Sequence, residues 1–192
     1  MRLSQPRYAP VSDDDLTVQQ AEVLSALPEA WRGLNLFRTT ARAPEALAAL
    51  LRVGDYVRGE VGGLAVRERE LAILRTAWLT QSGYEWTQHV WAGRQAGLSR
   101  EAITAVKTGP EAALWADADR ALLAACDELC REQFVTSATW SALGAHFNDR
   151  QRMHLVVLVG HYVQVAMLVN TFGVQLDTGQ KLDPDLARYA DA

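Results

Sequence analysis

Apolar residues recur every three or four positions along most of the chain, and this spacing places them on one face of an α-helix. A clear case begins at Pro44 and ends near Gly59, with Leu47, Leu50 and Val57 on one stripe. No segment alternates apolar and polar residues with the period of two that is typical of a half-buried strand. The pattern therefore predicts an all-α fold.

Residues that start and stop helices divide the chain into about seven to nine helices. An irregular arm is predicted over about residues 1–15, and its aspartates, Asp13–Asp15, supply negative charge to the start of a helix that reaches about Leu27. Asn148 and Gln151 have capping-box spacing at the start of the most apolar helix. The remaining helices are predicted over about 44–59, 65–79, 83–95, 117–132, 138–146 and 148–171, with a short helix after Ser99 and a last turn at Asp183.

Composition and charge exclude several classes of protein. The chain has 192 residues, enough to bury the core of one domain over 1–192, and its 49% hydrophobic content excludes disorder. A net charge of −4 without a basic cluster argues against nucleic-acid and anionic-membrane partners. The expected partners are a small-molecule substrate and further copies of the same chain.

The chain start carries no apolar export segment, so the cytoplasm is the predicted compartment. The longest apolar run, 155–169, is interrupted by Gly160 and His161 and is shorter than the roughly 20 residues of a membrane span, so we expect a buried helix. Cys126 and Cys130 lie four residues apart in a predicted helix, where their Cβ atoms would be about 5–6 Å apart. This is too far for a disulfide, and both are expected to be reduced core thiols.

The four histidines do not have the spacing of a metal site. His154 and His161 are seven residues apart and could share a helix face, but no carboxylate is spaced to complete a ligand set with them. The pair Gly62 and Gly63 lacks the further residues of a phosphate-binding loop. Neither a metal nor another cofactor is predicted.

A carboxylate interrupts the apolar stripe of the helix predicted over 65–79. Glu70 has Val66, Ile73 and Leu74 as its i−4, i+3 and i+4 neighbours, so its side chain is expected to face the core, unlike those of Glu68 and Arg69. Burying a carboxylate costs free energy unless it is paired or has a chemical task. Two interpretations stay open: a structural ion pair, with an arginine as partner, or a functional acid.

The next helix places a second carboxylate beside a histidine. Glu85 and His89 are four residues apart and share a helix face. A carboxylate can orient an imidazole, which titrates near neutral pH, so the two could transfer protons. Ser82 and Glu85 also have capping-box spacing, so both side chains could instead serve only to start the helix.

The segment from Arg67 to Leu98, RERELAILRTAWLTQSGYEWTQHVWAGRQAGL, resembles the carboxymuconolactone decarboxylase family, which includes the AhpD-like alkylhydroperoxidases. The family pattern is Glu, eleven residues, Cys-x-x-Cys, three residues, His. Glu70 and His89 match its Glu and His, whereas Ser82 and Glu85 occupy the two cysteine positions. The resemblance is strongest over about 36–106 and implies a homo-oligomeric AhpD-like helical bundle with C-terminal helices over about 117–171.

The two cysteine replacements disfavour thiol peroxidase activity, because that cycle needs a thiolate and a resolving thiol. The resemblance instead implies a cofactor-free acid–base enzyme, a decarboxylase, another lyase or an isomerase, acting on a small organic acid or lactone. His89 is the expected acid or base, assisted by Glu70 and Glu85. Tyr84, Ser82 and the N–H groups at the start of their helix are expected to contact the substrate.

A non-catalytic protein is the alternative, in which the AhpD-like fold survives as a ligand-binding or oligomeric scaffold. The two hypotheses differ in where the candidate side chains lie. An enzyme requires Glu70, Glu85 and His89 to converge on a cavity, whereas a scaffold would use them in caps and ion pairs.

Overall fold

The computed structural model describes residues 1–189, and within them it contains nine α-helices and no strand, which confirms the all-α prediction. Residues 190–192, the end of the predicted domain, lie outside the described residues, and the assignment of one domain stays a prediction. The helices are α1 Val18–Ser25, α2 Asn35–Thr40, α3 Pro44–Arg58, α4 Val66–Leu79, α5 Gly83–Gln95, α6 Arg100–Thr108, α7 Asp117–Glu132, α8 Ser137–Gly144 and α9 Asp149–Phe172.

The first two helices differ from the prediction. Asp13–Asp15 form a separate 3-10 turn, and α1 begins only after Thr17, whose hydroxyl accepts from the Gln20 N–H while the Gln20 side chain accepts from the Thr17 N–H. This reciprocal cap starts the helix three residues after the charge that we expected to start it. Helix α2 was not predicted, because six residues are too few to show a helical period.

Helix α4 lies at the centre of the fold and contacts α5, α6, α7 and α9. Its apolar side chains pack in a core with those of α7 and α9, and Leu71, Leu74, Leu122 and Leu158 are each fully buried. A second apolar cluster lies between α1, α2, α3 and the C-terminal half of α9. Arg69, which we expected to face away from the core, is buried and donates to the Gly59 carbonyl at 2.6 Å.

Helix α9 is long and apolar enough to cross a membrane by length and composition, a test that the core helix of a soluble protein also passes. In the structure α9 contacts α3, α4, α7 and α8, and residues such as Leu155, Leu158 and Val169 are buried between these helices. Asn148 and Gln151 make the predicted capping box at its start. These contacts are those of a core helix.

Two salt bridges join α4 to α7, and they differ mainly in burial. Arg67 donates two hydrogen bonds to Asp119, and Arg75, eight residues later, donates two to Asp127, which is eight residues after Asp119. The Arg67 side chain is 40% exposed, whereas that of Arg75 is 4% exposed and also donates to the Val106 carbonyl on α6. Only the inner salt bridge therefore links three helices within the core.

We expect Arg75→Met to lower the free energy of unfolding by about 3–5 kcal/mol, because it leaves the Asp127 carboxylate largely buried after removing its main partner. Urea unfolding followed by far-UV circular dichroism measures this loss. Arg67→Met is the matched control and should cost less: the two carboxylates are equally buried, but the Arg67 side chain is 40% exposed and, among the described residues, Arg67 makes no hydrogen bond to a third helix. Equal losses in the two variants would contradict the conclusion that the Arg75–Asp127 salt bridge matters more to the core.

Candidate functional site

A cavity of about 180 Å³ lies between α2, α3, α5 and α9, and its lining is mostly apolar. Apolar side chains from each of these helices contribute to it, among them Leu36, Phe37, Leu50, Ala92 and Val165. Seven polar or titratable side chains interrupt this lining: Arg58, Tyr84, Glu85, Gln88, His89, His161 and Tyr162. The cavity thus has an apolar wall and a cluster of groups that can carry charge or protons.

Glu70, His89 and Glu85 converge at one side of this cavity. The His89 Nδ1–H donates to Glu70 Oε2 at 2.7 Å, and His89 Nε2 lies 3.7 Å from Glu85 Oε2. Glu85 and His89 line the cavity, whereas Glu70 lies behind the imidazole on α4. The partner of Glu70 is therefore a histidine and not the expected arginine.

Burial and charge shift the pKa values of these groups. Burial acts to lower the pKa of His89, but the negative charge of Glu70 and its hydrogen bond outweigh burial, so the His89 pKa is raised above 6.5. Burial raises the pKa of Glu85, and the negative charge of Glu70 raises it further. The positive charges of His89 and Arg58 act to lower this pKa but do not cancel the rise. His89 is thus stabilised as an imidazolium next to a carboxyl group that favours its protonated form.

The capping interpretation of Ser82 and Glu85 is half right. The Ser82 hydroxyl accepts from the Glu85 N–H, at a long 3.5 Å, but the Glu85 carboxylate does not reach back to the Ser82 N–H, which donates to the Ala77 carbonyl. Ser82 is fully buried and does not line the cavity. The structure therefore uses Ser82 to start α5 and directs the Glu85 side chain toward His89.

Tyr84 lines the cavity with its ring, but its hydroxyl is already paired. It donates to Asp177 Oδ2 at 2.8 Å and accepts from the Leu36 N–H at 3.4 Å. The start of α5 is also covered, since a Cβ built on Gly83 would lie 2.7 Å from the Met1 nitrogen. The expected anion site at the α5 N–H groups is therefore closed.

Arg58, His161 and Tyr162 are cavity residues that the sequence analysis did not identify. Arg58 ends α3, and its guanidinium lies 5.0 Å from the Trp31 ring centroid. Tyr162 packs edge-on against His89 and His161, with ring centroids 5.0 and 5.4 Å apart. The signal for His161 was its position as a polar break in the apolar run, whereas an arginine at a helix end has no distinctive pattern.

The sulfur atoms lie away from this site. Cys126 and Cys130 are both free, and neither lines the cavity. Burial raises the pKa of Cys126 well above its ordinary value and raises that of Cys130 to about 11, so both thiols are held in the unreactive protonated form. Within residues 1–189, no group of three or more His, Cys, Asp or Glu side chains is arranged to hold a metal ion.

Residues 44–128 match the sequence profile of the carboxymuconolactone decarboxylase family. This range contains the whole of α4 and α5, with Glu70, Glu85 and His89. A comparison with curated proteins finds no match. The matched range thus covers the helices that carry the three converging side chains.

Several solved structures have the same architecture. A protein of unknown function from Agrobacterium tumefaciens, named for the antioxidant defence protein AhpD, is 25% identical, with a TM-score of 0.68 over 72% of this chain and 95% of that chain. An uncharacterized peroxidase-related protein from Ralstonia eutropha JMP134 with an AhpD core is 23% identical, with a TM-score of 0.70 over 81% and 89%. A variant of the debrominase Bmp8 in complex with 2,3,4-tribromopyrrole is 10% identical, with a TM-score of 0.71 over 92% and 94%.

These comparisons confirm the resemblance that the sequence predicts. The chain has the AhpD-like helical fold. Its similarity to the carboxymuconolactone decarboxylase family lies in residues 44–128.

The Glu70–His89 pairing makes a spectroscopic prediction. We expect Glu70→Gln to lower the pKa of His89, because the substitution removes the charge that holds the imidazolium; proton NMR of the histidine ring resonances measures this. His161, whose pKa burial and then the Arg58 charge lower to about 4, is the internal control and should titrate unchanged. The raised pKa of His89 also means that its protonation stabilises the folded protein. This contribution to the free energy of unfolding is complete below pH 6.5, the ordinary histidine pKa, and is lost as the pH rises through the higher folded-state pKa. An unshifted His89 titration would contradict this pairing.

Proposed function

We propose that the cavity is the active site of a cofactor-free acid–base enzyme, of the decarboxylase, lyase or isomerase type, that acts on a small organic acid or lactone. The observation that carries this proposal is the convergence of Glu70, His89 and Glu85 on a mostly apolar cavity. In a scaffold these side chains would end in caps and structural ion pairs. Here Glu85 Oε1 is buried with no hydrogen-bond partner within residues 1–189, and His89 lines the cavity.

The geometry supports a role in proton transfer for each group. His89 Nδ1 is engaged by Glu70, so Nε2 is the nitrogen that can give a proton to a substrate carbon. Glu70 stabilises the imidazolium before transfer and fixes the ring orientation. Glu85 lies 3.7 Å from Nε2, close enough to exchange a proton with the ring after a small movement.

Two types of reaction are consistent with these roles, a decarboxylation and an isomerisation. In a decarboxylation, the bond to the carboxylate carbon breaks, its electron pair enters a conjugated carbonyl as an enolate, CO₂ leaves, and His89 protonates the carbon. In an isomerisation, the ionised form of Glu85, a stronger base because burial raises its pKa, takes a proton from one carbon, and His89 gives its proton to the other end of the resulting enolate. The proton then passes from Glu85 to His89, which restores both groups.

The alternatives have weaker support. Thiol peroxidase chemistry lacks thiols at Ser82 and Glu85, and the two cysteines present are far from ionisation at neutral pH. The debrominase with a similar fold supports the general statement that this fold can house catalysis, although at 10% identity it argues for the fold alone. A ligand-binding scaffold would explain the cavity, but it would not explain why Glu70 orients the His89 ring toward it.

We also propose a homo-oligomer in the cytoplasm. The AhpD-like resemblance implies an oligomer, and Trp91, Met153 and Met167, each more than 60% exposed, are apolar side chains that a second copy would cover. The two reduced cysteines fit a reducing compartment. Sedimentation that shows a stable monomer would contradict the first of these statements.

The proposed function is tested by incubating the protein in D₂O with a panel of unsaturated carboxylic acids and lactones, and following deuterium incorporation and CO₂ release by NMR. We expect at least one compound to react, and His89→Gln to slow it by about 10²–10⁴-fold, the usual contribution of a general acid or base. Glu70→Gln should slow it less, because Glu70 acts through His89.

His146→Gln is the matched control, since His146 is an exposed histidine away from the cavity. It should react at the wild-type rate. Circular dichroism establishes that every variant is folded. A folded His89→Gln variant that reacts as fast as the wild type would overturn the proposal.

A further inference from the structure

One positive charge reaches the cavity wall from a residue to which neither the family pattern nor the sequence gives a role. Arg58 is the one Lys or Arg among the described residues that line the cavity. Its carboxylate neighbour Asp55, at 3.2 Å, is 78% exposed, and ion pairs in water contribute little. Arg58 also has a hydrogen-bond contact with Tyr162, but a guanidinium carries five N–H donors, so Arg58 can still bind an anion inside the cavity.

The fold holds Arg58 in place from several sides. His154 on α9 donates to the carbonyl of Val57, and Arg69 on α4 donates to the carbonyl of Gly59, so the backbone is fixed on both sides of Arg58. Gly54 leaves space for the guanidinium, since a Cβ there would lie 2.6 Å from Arg58 Nη1. An arginine that would be free at an ordinary helix end is therefore directed over the cavity.

Two further polar atoms at the cavity are without protein partners. His161 Nδ1 and Glu85 Oε1 are buried, and neither makes a hydrogen bond within the described residues. Buried polar atoms are almost always paired, so two unpaired ones on side chains that line the cavity point to a ligand with polar groups, which would reach them after a small rotation of the side chains. Burial lowers the pKa of His161, which keeps this imidazole neutral and able to bind an oxygen without adding a charge.

The size and polarity of the cavity limit the rest of the ligand. A cavity of about 150 Å³ lined by apolar side chains holds benzene, so the cavity here, about 180 Å³, fits one ring with one substituent. Leu36, Phe37 and Leu50 present an apolar wall to that ring. The charges of Glu70 and protonated His89 offset each other, so Arg58 can balance one anionic group but not two.

We propose that the cavity binds a monocyclic, mostly apolar monocarboxylate, with its carboxylate on Arg58 and its ring against Leu36, Phe37 and Leu50. The inference that this ligand is the substrate rests on the proposed function. An ion pair with Arg58 stabilises the carboxylate and opposes its loss as CO₂. On such a substrate, His89 and Glu85 would move a double bond and leave the carboxylate in place.

Isothermal titration calorimetry of the full-length protein tests the ligand class with benzoate as the probe. We expect benzoate to bind the wild type, and Arg58→Gln to weaken it by about 10- to 100-fold, the usual loss for a charged hydrogen bond. Arg52→Gln, at an exposed arginine of the same helix, should bind benzoate as the wild type does. Benzamide, which keeps the ring but lacks the charge, should bind all three proteins equally.

Benzoate affinity that is unchanged in folded Arg58→Gln would overturn the inference, and so would tighter binding of the dicarboxylate terephthalate than of benzoate. Arg58→Lys guards against a folding defect, because it keeps the charge and should retain part of the benzoate affinity. A folded Arg58→Lys variant with less affinity than Arg58→Gln would also contradict the inference.

The same titration in His89→Gln separates this inference from the proposed function, since binding needs no proton transfer. Arg58-dependent benzoate binding without deuterium exchange on any compound would support the ligand class and overturn the proposed function. Exchange on uncharged lactones alone, with no benzoate binding, would support the proposed function and overturn the ligand class.

Discussion

The hydrogen bond from His89 Nδ1 to Glu70 Oε2 joins two helices whose contact organises the fold and the site together. It places a carboxylate from the central helix α4 behind an imidazole on α5, at a point where both are mostly shielded from water. Each group alone would be costly to bury in its charged form. When Glu70 and His89 are paired through Nδ1, the Nε2 atom of His89 stays free of that hydrogen bond and faces Glu85 and the cavity.

Helix α9 contributes two histidines whose environments differ: one is fully hydrogen-bonded in the core and the other lines the cavity. His154 is fully buried with both ring nitrogens in use: Nε2 donates to the Val57 carbonyl and Nδ1 accepts from the Leu64 N–H. His161, two helical turns later, lines the cavity, and its buried Nδ1 has no hydrogen-bond partner among the described residues. The first histidine fixes the end of α3, and through it the position of Arg58, so the structural histidine acts on the same cavity as the unpaired one.

The sequence predicted the helices of the site but only part of the site itself. The bounds of α4 and α5 follow from apolar periodicity and breakers, and the family spacing singles out Glu70 and His89. Arg58 and His161 could not be assigned, because they come together only when α3 packs against α9, 90 or more residues away in the chain. The expectation that Arg69 faces outward failed for a similar reason, since its carbonyl acceptor at Gly59 lies on another element.

The two positions where the family pattern has cysteines have acquired different tasks. A serine at position 82 retains a small side chain that can cap α5 in a fully buried place. A glutamate at position 85 is longer than a cysteine and reaches toward His89, which introduces a second carboxyl group where the pattern has a thiol. A thiol pair exchanges electrons with a peroxide, whereas a glutamate beside a histidine can exchange only protons. The replacement therefore changes the kind of chemistry open to the site while keeping the carboxylate and imidazole of Glu70 and His89 that the fold holds in place.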